Sequence, residues 1–207
     1  MTLLAVLDYA SVFIFALSGA LAASRAQLDI VGFLFIACLT AVGGGTVRDL
    51  LLNREFVFWV ANPAILAPAC GAAVGVFFTA HLIESRRRAL DWADAGALAV
   101  AVPAGVGVAM NLGHGPAIVL IMGMATGALG GLMRDVVCNE VPLVLRQGEL
   151  YLSAAFAGAS AALAAVALGA PPTPALIACA VVTFLLRAGS MAYGWKLTLY
   201  KSRPPRT

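Results

Sequence analysis

Charge is scarce in this chain: only 11% of its 207 residues are Asp, Glu, Lys or Arg, against 62% hydrophobic residues and a mean hydropathy of +0.96. That balance excludes a water-soluble domain of this length and reads as an integral membrane protein. Histidine is nearly missing, and the only two, His81 and His114, stand far apart near the ends of apolar runs. They imply no metal site. Cysteine occurs four times, as Cys38, Cys70, Cys138 and Cys179, always within apolar sequence and never as C-x-x-C. These read as packing residues, neither disulfides nor ligands. There is no phosphate-binding G-x-x-x-x-G-K-[ST] loop, no nucleophile elbow and no paired-histidine motif. Their absence weighs against ATP-driven transport by this chain alone and leaves an enzyme without support. No basic stripe interleaved with aromatics points to nucleic acid. No basic residue precedes the first apolar run, and Asp8 lies inside it. LSGALAASRA near residue 20 therefore reads as part of a retained span, despite its likeness to a leader cleavage site.

What the chain does have is long apolar runs. A membrane span needs about 20 mainly apolar residues, and that rule gives seven helices, near 3–24, 30–52, 62–83, 91–111, 116–138, 150–169 and 173–195. Between them stand polar or turn-forming breaks: Arg25 to Asp29, Asn62-Pro63, Arg86-Arg87-Arg88, Gly113 to Pro116, Gln147 to Glu149 and Pro171 to Pro174. Irregular backbone is not tolerated against lipid, so these breaks belong near an interface or under protein.

The chain is also written twice. Residues 44–53, GGTVRDLLLN, recur 86 positions later as residues 130–139, GGLMRDVVCN. The same ungapped offset pairs Asp8 with Asp94, Gly19 with Gly105, Thr40 with Thr126 and Ala73 with Ala159. Apolar low complexity aligns Leu and Ala by chance, but not Asp, Arg and Asn in register. The expected architecture is all-α, with a first three-helix repeat over 1–88, a second over 89–172, and a seventh helix with a basic tail over 173–207. Three spans per repeat is an odd number, so the second copy enters the bilayer from the opposite side; inverted repeats of this kind are a common plan for transport proteins. Arg25, Arg86 to Arg88, Arg146, Lys196, Lys201, Arg203 and Arg206 would share one side. By the positive-inside rule that side is cytoplasmic, with the N-terminus outside and the C-terminus inside.

Two sets of residues are candidates for function. Gly43-Gly44-Gly45 in the second span is echoed by Gly127, Gly130 and Gly131 in the fifth. Glycine costs about 1 kcal/mol relative to Ala inside a helix, so both sites are places for a helix to bend or unwind. A break there would free the carbonyls of Thr40 to Gly43 and Thr126 to Leu129, with Thr46 close by, for a partly hydrated cation. The competing reading is that the glycines only let helices approach closely. The second set is charged. Arg48-Asp49 and Arg134-Asp135 follow the glycines; they either line a polar path or snorkel to opposite interfaces. Adjacent helical residues point about 100° apart, so each Arg is expected to reach another element rather than its own Asp. Asp8, Ser11, Ser18 and Arg25 form a polar stripe on the first helix, and its mate keeps Asp94 and puts Asn111 where Arg25 was. Thr183, Arg187, Ser190 and Gly194 form another on the seventh helix, with Arg187 expected to snorkel.

With the seven-span plan, the duplication and the motifs GGGTVRD and GALGGLMRD, nearly the whole chain resembles the prokaryotic branch of the trimeric intracellular cation (TRIC) channels. The bacterial branch has also been labelled as glycine transporters. The resemblance implies a bacterial inner (plasma) membrane protein and a homotrimer in the lipid bilayer. Each protomer would hold a pore for potassium or sodium, lined by the kinked second and fifth spans. No cofactor is implied beyond the transported ions. The Lys-Glu-Val lipid motif of animal members is not found, so phosphoinositide control is not carried over. A carrier for glycine or another small zwitterion is the alternative, and a membrane scaffold is a third reading that the polar stripes disfavour.

Overall fold

A computed structural model describes residues 2–83 and 85–198. Lys201, Arg203 and Arg206 of the expected basic side lie outside the described residues. Within them the chain forms eight α-helices: α1 (Leu3–Arg25), α2 (Ile30–Leu51), α3 (Phe58–Ala61), α4 (Leu66–Thr79), α5 (Arg86–Asn111), α6 (Pro116–Val137), α7 (Leu152–Ala167) and α8 (Pro172–Tyr193). The only β-type pairing among the described residues is an isolated bridge between Glu149 and Lys196.

The helix ends follow local chemistry. Thr2, Asp29 and Ser85 cap α1, α2 and α5 by accepting from the amides of Ala5, Gly32 and Arg88. Pro116 and Pro172 open α6 and α8, where a missing amide hydrogen costs nothing. Asn53 and Asn139, the matched Asn of the repeated motif, both adopt positive φ (49° and 54°) just past α2 and α6. There the Arg54 amide returns to the Asp49 carbonyl at 3.0 Å and the Glu140 amide to the Asp135 carbonyl at 2.8 Å. The Asn in the motif is thus a helix stop, since Asn tolerates the left-handed conformation best after Gly.

Six helical segments are long and apolar enough to cross a membrane: α1, α2, Pro63–Leu82 (α4 with its flanking 3-10 turns), α5, α6 and α8. The sixth expected span is shorter than foreseen. Its helix, α7, has 16 residues, which at 1.5 Å per residue reaches about 24 Å, less than the roughly 30 Å of hydrocarbon. Helix α5 is the centre of the bundle: 78% of its apolar window is buried, against 33–44% for the other five segments. Its sequence explains why, because the run from Ala95 to Ala109 is mostly Ala, Gly and Val, whose small side chains let α1, α6 and α8 close on it. Cys38 and Cys70 meet as thiols between α2 and α4, with their sulfurs 4.0 Å apart.

The 86-residue offset persists in the fold. Helix α2 shifted by 86 gives the bounds of α6, and α1 shifted likewise falls within α5. The expected unwinding is not seen: α2 and α6 run as unbroken α-helix through Gly43-Gly44-Gly45 and through Gly127, Gly130 and Gly131. No turn unwinds there and no carbonyl is released by a helix end. The reason is tertiary, and it lies in what these glycines touch.

Candidate functional site at the crossing of α2 and α6

Gly44 lies against the backbone of Thr126, and a Cβ placed on it would collide with the Thr126 carbonyl oxygen. Gly130 meets the Thr40 carbonyl in the same way, and the Gly44 amide nitrogen lies 3.7 Å from where its Cβ would stand. The two helices therefore touch backbone to backbone, each glycine seating the other helix's threonine turn. Of the neighbouring glycines, Gly43 leaves room for Met133, Gly45 for the Phe58 ring, and Gly127 for Leu98 and Val102 of α5. Thr40 and Thr126 each donate to the carbonyl four residues back, at 2.6 Å, so neither hydroxyl is a free donor. Thr46 points elsewhere: it donates to the Val42 carbonyl and accepts from the Trp59 indole at 2.9 Å.

One turn beyond each glycine set, the structure builds a charge cluster, and the two clusters are copies. Arg48 Nε donates to Asp49 at 2.7 Å and its Nη1 to Asp8 of α1 at 3.2 Å. Arg134 Nε donates to Asp135 at 2.8 Å and its Nη1 to Asp94 of α5 at 2.8 Å. The expectation that each Arg avoids its own Asp is corrected, because the long guanidinium folds back to its neighbour while also bridging to another helix. Snorkelling is likewise corrected for Arg48, Arg134 and Arg187, whose side chains are all completely buried. The second oxygens of Asp49 and Asp135 accept the amides of Phe58 and Leu143, both at 2.8 Å, tying each cluster to the loop after its helix.

The copies differ in what closes them. Tyr151 donates to the outer oxygen of Asp94 at 2.8 Å, and Ser18 of α1 accepts a further bond from Arg134 at 2.8 Å. By the repeat offset, Ile65 stands where Tyr151 does and Ala104 where Ser18 does, so the first cluster lacks both groups. In their place is a cavity of about 200 Å³ bordered by Asp8, Tyr9, Arg54, Asn62 and Ile65. The Asp8 side chain is accordingly 19% exposed, whereas that of Asp94 is fully covered. Arg54 joins Asp49 at 3.2 Å, so the first cluster balances two cations against two carboxylates. The second sets Arg134 alone against Asp94 and Asp135, a formal charge of −1. Arg48 Nη2 and Arg134 Nη2 are buried without a partner among the described residues.

The remaining candidates lie apart. Ser11 donates only to the Asp8 carbonyl, at 2.9 Å. Asn111 is exposed at the far end of α5, beside a cavity shared with Thr2 and Pro172, and joins neither cluster. Arg25 leaves the α1 stripe for Glu140, at 3.0 Å. Arg187 pairs with Glu149 at 2.8 Å and stacks over the Tyr151 ring at 5.0 Å, which links it to Asp94 through that tyrosine. Tyr151, Arg54 and Glu149 escaped sequence reasoning because they stand in loops where the repeat does not keep them. Only the Tyr151 to Ile65 mismatch could have drawn attention.

Comparison with known proteins agrees with this architecture. The family model described as glycine transporter matches twice, over residues 5–81 and 91–167. The chain is 38% identical over 199 residues to the inner membrane protein YadS of Escherichia coli, covering 94% of both. It is 35% identical over 202 residues to a membrane protein of Vibrio cholerae, covering 96% of this chain and 82% of the relative. Among solved structures it matches a TRIC trimeric intracellular cation channel orthologue from Rhodobacter sphaeroides, with a TM-score of 0.90 and 44% identity over 94% of this chain and all of the other. A second TRIC cation channel structure matches with a TM-score of 0.85 and 28% identity over 98% of this chain and all of that one. These relatives are described as cation channels and membrane proteins. With a model matched in both halves and relatives aligned over nearly its whole length, the chain belongs to the prokaryotic TRIC family of membrane proteins, the bacterial branch also described as glycine transporters.

Proposed function

We propose that the chain is a passive monovalent-cation channel, conducting chiefly potassium, with one path in each protomer of a homotrimer. The path follows α2 and α6 past Asp8, Arg48 and Asp49 at one end and Asp94, Arg134 and Asp135 at the other. The observation that carries this reading is the double neutralisation of each buried arginine. An unpaired Arg in the path would repel cations, but Arg48 and Arg134 are each held between two carboxylates. The second cluster even keeps a net negative charge, the sign a cation path requires. The similarity to solved TRIC cation channels points the same way. The Gly44 and Gly130 contact is the closed point of this path, and bending of α2 and α6 at their glycines opens it.

The topology that goes with it is three spans plus three inverted spans plus one, over 1–88, 89–172 and 173–207, in a bacterial inner membrane. Several contacts support inversion. Arg25 at the end of α1 pairs with Glu140 beyond α6, while Asp8 near the start of α1 pairs with Arg48 near the end of α2. The ends of α2 and α6 therefore lie at opposite ends of α1. Arg86 reaches the Ser24 carbonyl at 3.3 Å, and Arg146 reaches Asp91 at 3.3 Å, gathering basic residues at the end shared by Arg25. By the positive-inside rule that end is cytoplasmic, with the N-terminus outside. Helix α7 packs against α8 and α6, and a span this short is accommodated by local thinning of the bilayer.

A carrier of glycine or another small zwitterion is the second reading, favoured by the family description and by the bare Nη2 donors of Arg48 and Arg134, which suit a carboxylate. Against it, the unbroken α2 and α6 provide no half-helix N-termini. Single-channel recording of the purified protein in planar bilayers under asymmetric potassium chloride, with glycine then added to one side, separates the two. The channel reading expects unitary currents reversing near the potassium potential. Silent bilayers together with saturable glycine uptake by liposomes would replace it with the carrier. Arg48→Ala and Arg134→Ala are expected to change conductance; unchanged currents would remove the arginines from the gate.

A further inference from the structure

Away from the crossing, at the end of the bundle where Arg146 and Lys196 gather, the start of α5 and the last turns of α8 enclose a cleft of about 500 Å³. Arg87, Arg88, Arg187 and Lys196 border it, with Asp91 and Glu149. Both carboxylates are already engaged: Arg146 takes Asp91 at 3.3 Å, and Arg187 takes Glu149 at 2.8 Å. Arg87, Arg88 and Lys196 form no ion pair among the described residues. The cleft therefore has an excess of positive charge with no further carboxylate opposite it among the described residues.

Arg187 makes this more than a basic surface. Its side chain is completely buried, its plane is held over the Tyr151 ring, and its Nη1 is spent on Glu149. Its Nε and Nη2 have no partner among the described residues. Those two nitrogens share one edge of the guanidinium, the edge that grips two oxygens of a phosphate or carboxylate at once. A buried cation with two bare donors is a group that native proteins seldom leave unsatisfied. The rim supplies a further sign: Trp92 and Trp195 are 42% and 49% exposed beside basic residues, the composition of a membrane interface.

We infer that this cleft binds a phosphate-bearing anion, its oxygens accepting from Nε and Nη2 of Arg187 with Arg87, Arg88 and Lys196 around the remaining charge. The interfacial setting favours the headgroup of an anionic phospholipid as the source, since basic residues at a span end draw such headgroups. Glu149 sets the guanidinium and Tyr151 supports its face, so the donor edge is already oriented, and entry of the anion has to part the side chains that cover it. Nothing in this depends on whether the chain conducts ions or carries glycine.

Tryptophan fluorescence of the full-length protein in zwitterionic detergent tests it, titrated separately with dihexanoyl phosphatidylglycerol, dihexanoyl phosphatidylcholine and inorganic phosphate. The expected result is saturable binding of phosphatidylglycerol and none of phosphatidylcholine. Arg187→Lys, which keeps the charge but loses the fork, should weaken it about tenfold. Arg88→Ala with Lys196→Ala, on the cleft border, should do the same and serves if the buried variant fails to fold. Binding of inorganic phosphate as tight as that of the lipid supports the anion site and moves its source to a soluble phosphate. Equal response to both lipids, or variants that bind like the parent while keeping its circular dichroism, overturns the proposal.

Discussion

Arg134 shows what a buried charge needs in order to persist in a membrane helix: two carboxylates, a serine hydroxyl, and a tyrosine that closes the remaining oxygen of one carboxylate. Replacing a carboxylate of this set by an amide puts a donor where an oxygen had accepted, at a cost of about 1.5–3 kcal/mol for each hydrogen bond to a charged group that is lost. Asp94→Asn is therefore expected to lose stability on that order in denaturant titrations in mixed micelles. Asp8→Asn should lose clearly less, because Asp8 is partly exposed and its bond to Arg48 is longer at 3.2 Å. Equal losses would show that burial does not distinguish the two clusters. Tyr151→Phe removes only the hydroxyl that closes Asp94, a hydrogen bond to a charged group worth about 1.5–3 kcal/mol. On the channel reading it raises open probability in planar bilayers, and Ile65→Tyr, which supplies a hydroxyl beside Asp8, lowers it.

Between α2 and α6 the decisive groups are hydrogens where a methyl would not fit. Gly44→Ala and Gly130→Ala each force a Cβ into a carbonyl of the partner helix, and overpacking of this sort costs about 1–3 kcal/mol. Gly71→Ala is the control: nothing lies within 4 Å of its Cβ position, so it is expected to be neutral or to gain up to about 1 kcal/mol of helix propensity. Thermal unfolding of the three variants in one detergent checks the order. The glycine motif was legible as important, but its use was not. Composition shows that a helix could break at Gly43-Gly44-Gly45; only the tertiary structure shows that it stays whole, packed backbone to backbone on α6. The Asn that closes the same motif is the opposite case, since its left-handed turn is a local property of the chain.

For the whole protein, a homotrimer predicts a protein mass three times 21.2 kDa by light scattering of the detergent complex. A value of one or two times that mass would remove the trimer. Inversion of the repeats predicts that single cysteines at Arg54 and at Glu140, introduced with the native cysteines replaced, are labelled by an impermeant maleimide from opposite sides of the membrane. The native thiols need replacement because Cys38 and Cys138 are only half-buried.

The membrane class, the duplication, the positions of the long helices and the paired Arg-Asp motifs were all determined by the sequence itself. Hydropathy and an 86-residue register are written along the chain and need no folding to be read. Tertiary structure decided the partners. It placed Asp8 on Arg48 and Asp94 on Arg134 across helices 40 residues apart, and it brought Tyr151 to one cluster while leaving Ile65 and a cavity at the other. It also buried Arg187, which a sequence count of distance from the helix end would send to the surface. The physical reason is the same in each case. Burial and pairing depend on which helix faces meet, and that is set by the packing of small residues around α5, not by periodicity within any one helix.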